Sequence, residues 1–143
     1  MKMELTTRRV CADTEAQLIS ITQEVEEFVA GCGIENGVCF VISAHTTAGI
    51  TVNEGLPCVE TDLLDKLDEL APADASYAHN HFLPSYGTAG GNAPGHLKSM
   101  LCGNHCLFPV QNGRLVRSRA QEIYFAEFDG VKARTYYIEV MGE

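Results

Sequence analysis

The sequence predicts an α+β fold, a two-layer sandwich in which a mostly antiparallel or mixed β-sheet carries helices on one face. Two segments place apolar residues at helical spacing: Leu18, Ile21, Val25 and Phe28 in the first, Val59, Leu63, Leu67 and Leu70 in the second. Short β-prone runs surround them, and Asn112-Gly113 and Asp129-Gly130 mark hairpin turns between the last of these. Helices interspersed with strands joined mostly by hairpins belong to this class.

The elements follow in order. Residues 4–10 are β-prone and read as an edge strand. Asp13 or Thr14 then caps the first helix, which Gly31 stops; Gln23, Glu24, Glu26 and Glu27 form its solvated face. Val38 to Ala44 and Gly49 to Asn53 read as strands separated by the polar break His45-Thr46-Thr47. Pro57 opens the second helix, and Ala71-Pro72 ends it. Residues 72–93 show no sustained period and read as a loop of functional length. A short helix from Pro94 to Leu101 turns Leu97, Met100 and Leu101 inward and stops at Gly103. Strands at Cys106–Val110, Arg114–Ser118, Glu122–Phe128 and Val131–Val140 complete the chain, whose 143 residues fit one domain, 1–143.

Composition narrows the function. Ten basic against nineteen acidic residues give a net charge of −9, which disfavours nucleic acid and anionic membranes as partners. Residues 98–143 hold six of the basic side chains, so an anion site is expected to draw on that third. No apolar run approaches the ~18 residues of a membrane span, and Met1-Lys2-Met3-Glu4 lacks a signal-peptide core; the expected location is the cytoplasm. The six cysteines lie within well-patterned segments and are expected to be free thiols. Cys102 and Cys106 flank His105, but no further ligands at zinc spacing follow.

Three histidines, His45, His79 and His96, fall at element boundaries or in the long loop, and a catalytic zinc typically takes three protein ligands plus water. Asn92-Ala93-Pro94-Gly95-His96-Leu97-Lys98 reads as a helix start suited to a phosphate, with Lys98 close by; the alternative is an ordinary capped helix with Lys98 in water. Glu54 is a candidate general base or partner of a metal-bound water, and equally a cap for the following helix.

Ala44-His45-Thr46-Thr47-Ala48-Gly49-Ile50-Thr51-Val52-Asn53-Glu54, Tyr77-Ala78-His79-Asn80, Asn92 through Ser99, Gly113 and Gln121-Glu122-Ile123 together resemble the YjbQ-like family, in the right order over nearly the whole chain. The resemblance implies a two-layer α+β sandwich assembled as a homotrimer, with pockets near subunit interfaces. It implies a metal-binding cluster onto which His45, His79 and His96 map. It also implies thiamine-phosphate synthase-type transfer, which joins an aminopyrimidine diphosphate to a thiazole phosphate and releases pyrophosphate. On that reading His45 and Glu54 are catalytic, and Asn53, Lys98, Arg117, Arg119 and Gln121 contact a phosphorylated small molecule.

The chain departs from the family pattern at Ser118-Arg119-Ala120-Gln121, where many relatives have Gly-Thr-Trp-Gln, and it contains no tryptophan. The stretch between His79 and His96 is also long, with His81 and Tyr86 inside it. Histidine ligands favour zinc, whereas diphosphate departure is usually assisted by magnesium on carboxylates. A zinc-bound hydroxide makes hydrolysis of a phosphorylated or amide substrate the rival reading, and a non-catalytic small-ligand-binding protein the third.

Overall fold

A computed structural model describes residues 1–81 and 91–143. The elements are β1 (Lys2–Cys11), β2 (Gln17–Ser20), α1 (Thr22–Gly31), β3 (Asn36–Ser43), β4 (Ala48–Asn53), α2 (Pro57–Leu70), α3 (Ala78–His81), α4 (Ala93–Cys102), β5 (His105–Gln111), β6 (Arg114–Leu115), β7 (Glu122–Glu127) and β8 (Ala133–Gly142).

The fold is α+β, but its strands divide between two sheets. One has the order β1-β8-β3-β5-β6 and the other β2-β7-β4, with every pairing antiparallel. Alternation explains the split. Cys39, Val41, Phe108, Val110, Tyr136, Ile138 and Val140 point from the large sheet into a core that also receives Ile50, Ile123 and Phe125 from the small one. Val25 and Val29 of α1 join that core, fully buried, each contributing roughly 1.5–3 kcal/mol. The outer face of the small sheet carries Leu18, Tyr124 and Ala126, covered with Phe128 by Leu63, Leu64 and Leu67 of α2 and Cys102 of α4.

The first predicted helix starts too early. Leu18 shares the apolar spacing of Ile21, Val25 and Phe28, yet it lies on β2 opposite Ala126 of β7 and faces the second cluster. The helix begins only at Thr22, whose Oγ1 accepts the Ile123 N–H at 2.9 Å and donates to Glu122 at 2.7 Å, tying its first turn to β7. Leu70 of α2 is likewise exposed, and Leu64 takes part in the packing instead. The strand expected over 114–118 ends at Leu115. In the expected loop 72–93, Ala78–His81 forms a helical turn, while 82–90 and the His81 side chain lie outside the described residues.

The packing of α4 inverts the sequence expectation. Met100 and Leu101 are 71% and 51% exposed, and the buried face is Ala93, Pro94, Gly95, Lys98 and Ser99. Close approach is the reason: a Cβ on Gly95 would meet the Phe128 carbonyl oxygen at 3.1 Å, and Ser99 Oγ donates to the Ala48 carbonyl at 3.0 Å. Gly95 and Ser99 let α4 approach Phe128 and Ala48 closely, and Lys98 is buried through its pair with Asp68, so hydrophobicity does not select the buried face.

The other face of the large sheet presents Met3, Leu5 and Leu107 exposed, with Val38, Phe40, Ile42, Tyr137 and Met141 partly buried around them. Cross-strand register places Met141 between Met3 and Val38, and Phe40 beside Leu107.

Candidate functional site

His45 stands in the connection between β3 and β4, where the β3–β8 ladder runs out. The Ala44 N–H donates to the Thr135 carbonyl at 3.2 Å, and the Thr135 N–H then donates to His45 Nε2 at 2.8 Å. The ring thus takes the place of the next backbone acceptor. A nitrogen that accepts an N–H carries no proton, so His45 is neutral with its hydrogen on Nδ1. Burial, and then the nearby Arg134 charge, hold its pKa below the ordinary value, with Glu127 opposing.

Beneath this connection is a buried ion pair. Arg134 donates from Nε and Nη2 to the two oxygens of Glu127 at 2.7 and 2.6 Å, and from Nη2 to Thr47 Oγ1 at 2.8 Å. Glu127 is fully buried, and its Oε2 also accepts the N–H groups of Phe128 and Asp129, each at 3.1 Å. Both carboxylate oxygens and the Nε and Nη2 groups of the guanidinium are thus hydrogen-bonded, which is what burying two charges requires.

His79 is held differently. Asn92 Nδ2 donates to Asp129 Oδ2 at 3.0 Å, which turns Asn92 Oδ1 toward His79 Nε2 at 2.8 Å. An amide oxygen only accepts, so His79 donates through Nε2–H, which leaves Nδ1 as the nitrogen with no hydrogen-bond partner among the described residues. Burial works against ionisation of Asp129, but hydrogen bonds from Lys132 and Asn92 and the charges of Lys132 and Arg134 prevail, holding its carboxyl below the ordinary range. His79 and His96 meet edge to face with ring centroids 5.3 Å apart.

His96, in the first turn of α4, lines two cavities. One, of about 410 Å³, is also lined by His45, Thr46, Ser99, Met100, Gly103 and Asn104. The other, of about 440 Å³, is lined by Tyr77, Ala78, His79, Ala93, His96 and Leu97. The three predicted histidines therefore do converge around His96, with opposite proton positions on His45 and His79.

That difference tests the expected metal. A metal on His79 Nδ1 would have the outer-shell support that ligating histidines use, an N–H donated to an oriented oxygen. His45 does not fit: Nε2 is taken by Thr135, and Nδ1 holds the proton. Among the described residues no group of three or more His, Cys, Asp or Glu side chains is placed to hold a metal ion.

The remaining predicted residues lie elsewhere. Asn53 and Glu54 are at the far end of β4 from His45, where Asn53 pairs with Glu122 and its Oδ1 accepts the Glu54 N–H at 2.9 Å. Arg117 and Arg119 line a separate cavity of about 310 Å³ with Glu26 and Ser118. Arg117 is committed to Glu26 at 2.7 Å and to the carbonyls of Ser118 and Gln121; Gln121 Oε1 accepts the Ser118 N–H. Beside them Glu122 is held below its ordinary pKa by the Ser20 hydroxyl, against burial, with help from Thr22 and Arg117. Lys98 is buried and paired with Asp68, in a cavity of about 440 Å³ that also contains Glu15 and Asp129.

Sequence reasoning missed Glu127, Arg134 and Asp129. The Asp129-Gly130 pair signals only a turn, and nothing local distinguishes Glu127 from a solvated strand residue.

Residues 6–143 match the family model described as UPF0047 protein YjbQ-like. The chain belongs to the YjbQ-like family. It is 40% identical over 139 residues to the UPF0047 protein YugU of Bacillus subtilis, covering 96% of this chain and 99% of that one. A UPF0047 protein of Methanothermobacter thermautotrophicus is 36% identical over 138 residues, covering 96% and 87%. Among solved structures, a YbjQ-like protein of unknown function from Sulfolobus solfataricus superposes with a TM-score of 0.92 at 34% identity, covering 99% of both chains. A hypothetical protein from Aeropyrum pernix gives a TM-score of 0.89 at 31% identity, covering 98% and 99%. Among the described residues no helix of this YjbQ-like chain is long and apolar enough to cross a membrane.

Proposed function

We propose that this YjbQ-like protein is a small-molecule enzyme in which His79 acts as a general base, and that its reaction is hydrolysis of a small phosphorylated or amide substrate. The observation that carries this reading is the Asp129–Asn92–His79 chain, which orients a ring lining the cavity shared with His96 and leaves Nδ1 without a hydrogen-bond partner among the described residues. His79 Nδ1 would take a proton from water as it attacks.

The transfer implied by the family resemblance is the second reading. It asks for cations to hold two phosphorylated substrates, and in a single chain Lys98 is neutralised by Asp68, Arg117 is paired with Glu26, and Arg119 is remote from the histidines. Assembly is what favours keeping it. The apolar outer face of the large sheet, with Met3, Leu5 and Leu107 exposed, supports a homotrimer, and a neighbouring copy could bring Asn53, Glu54, Arg117, Arg119 and Gln121 to the histidine cavities. Zinc on His79 and His96 is an exclusive alternative to the general base, because both roles need the Nδ1 lone pair of His79.

The test is an assay of purified protein on phosphate esters and amides, beside an assay of pyrophosphate release that requires both organic substrates. His79→Gln should lower kcat/KM by about 10²–10⁴-fold. Unchanged turnover in His79→Gln rejects the general-base reading, and pyrophosphate release with both substrates selects transfer over hydrolysis. Light scattering reads the assembly, and a monomer rejects the trimer.

A further inference from the structure

The cavity between His45 and His96 has a chemical polarity of its own. Among the described residues no carboxylate lines it, in a chain whose net charge is −9. Two of the side chains that line it, His45 and Asn104, have uncommitted donors, alongside the Thr46 hydroxyl and the His96 ring. His45 Nε2 is occupied by the Thr135 N–H, so Nδ1–H is the one polar hydrogen of the ring, and no acceptor among the described residues takes it. Asn104 Oδ1 is bound to His105 Nδ1 at 2.7 Å, which leaves the Asn104 amide NH₂. Ser99 Oγ spends its proton on the Ala48 carbonyl. Met100, 71% exposed, supplies an apolar wall at the rim.

We infer that this cavity is a binding site for an oxygen acceptor, a carboxyl or phosphoryl oxygen of a small molecule, which His45 binds as a neutral donor through Nδ1–H. Three structural facts fix the donor. The Ser43 hydroxyl accepts the His45 backbone N–H at 3.2 Å and donates to the Ala48 carbonyl at 3.0 Å, setting the connection. Arg134, held by Glu127 and Thr47, anchors the connection through Thr47 Oγ1, two residues from His45. The Thr135 N–H sets the ring. A donor fixed before the ligand arrives costs no reorganisation when the bond forms. A metal cation is the wrong partner for Nδ1–H, so the inference separates His45 from any ion held by His79 and His96. It rests on the reading of the histidine cavities as the functional site, but not on which reaction occurs there.

The experiment uses the full chain with ¹⁵N-labelled histidine, read by long-range ¹H–¹⁵N correlation at neutral pH, with inorganic phosphate, acetate and zinc as separate probes. The expected result is a neutral His45 with its proton on Nδ1, shifted by phosphate or acetate and left in place by equimolar zinc. His45→Ala should weaken binding of the responding anion about tenfold, as loss of one hydrogen bond would. His45→Asn, whose amide NH₂ falls near the position of Nδ1, should retain it within about threefold on the same scale. A proton on Nε2, a charged ring, a zinc-dependent shift of His45, no response to either anion, or equal affinity in His45→Ala overturns the inference. None of these readouts depends on turnover, so they are distinguishable from failure of the His79 assay.

Discussion

The backbone N–H of Thr135 donates to Nε2 of His45 at 2.8 Å, one residue past the last β3–β8 pair, Ser43 with Tyr136. This bond couples a ring in the functional cavity to the sheet that forms the core. It also has a consequence for stability. Burial and Arg134 lower the His45 pKa from the ordinary 6.5, so between that value and the lowered one the folded chain binds fewer protons than the unfolded chain. Stability from this group is fully present above about 6.5 and is lost as pH falls toward the folded value. Thermal unfolding followed from pH 7.5 downward should show the wild type losing Tm relative to His45→Asn in that window. Parallel curves would show that folding does not lower the His45 pKa.

The Glu127–Arg134 pair is expected to be intolerant of half-removal. Arg134→Met leaves a fully buried carboxylate with only backbone N–H partners, a loss of about 3–5 kcal/mol. Adding Glu127→Gln removes the stranded charge while keeping an acceptor for Phe128 and Asp129. Urea unfolding should therefore find the double variant more stable than Arg134→Met alone.

Gly49 sets how close α4 lies to β4. A Cβ there would meet the Gly103 carbonyl oxygen at 2.3 Å and Cys102 Sγ at 3.1 Å, and that same carbonyl accepts the Ile50 N–H at 3.0 Å. Gly49→Ala must push the end of α4 away, costing roughly 1–3 kcal/mol. Denaturant midpoints measure the loss; an unchanged midpoint would mean that α4 adjusts freely.

The six thiols should divide by accessibility and acidity. Cys11 and Cys58 are exposed, whereas burial pushes Cys39 and Cys106 up to about 12 and Cys102 up to about 11. The thiolate is the reactive form, so Cys11 and Cys58 should react first with a disulfide reagent at pH 8 and these three only on unfolding. Six equally fast thiols in the native protein would contradict the packing.

The family was legible because its motifs, from His45-Thr46-Thr47 to Asn92 through Ser99, are local strings; the matched family model and the solved relatives agree with it. The grouping of His45 with His96 came only as what the family resemblance implies, since spacing alone does not bring separated histidines together. The start of α1 was not legible. Leu18 fits a helical spacing, and only its pairing with Ala126 across β2 and β7 shows it to be a strand residue.

By itself, then, the sequence determined the α+β class, the strand over β3, the helix at α2 with Pro57 in its first turn, and the three histidines as the residues to examine. Periodicity and local propensity act over a few residues, and those features are local. Tertiary structure alone decided that the strands form two sheets, that α4 buries Gly95, Lys98 and Ser99 in place of Met100 and Leu101, and that Glu127 meets Arg134. It also decided the proton positions, on Nδ1 in His45 and on Nε2 in His79. A ring nitrogen's role depends on the partner brought to it, and those partners, Thr135 and Asn92, lie 90 and 13 residues away along the chain.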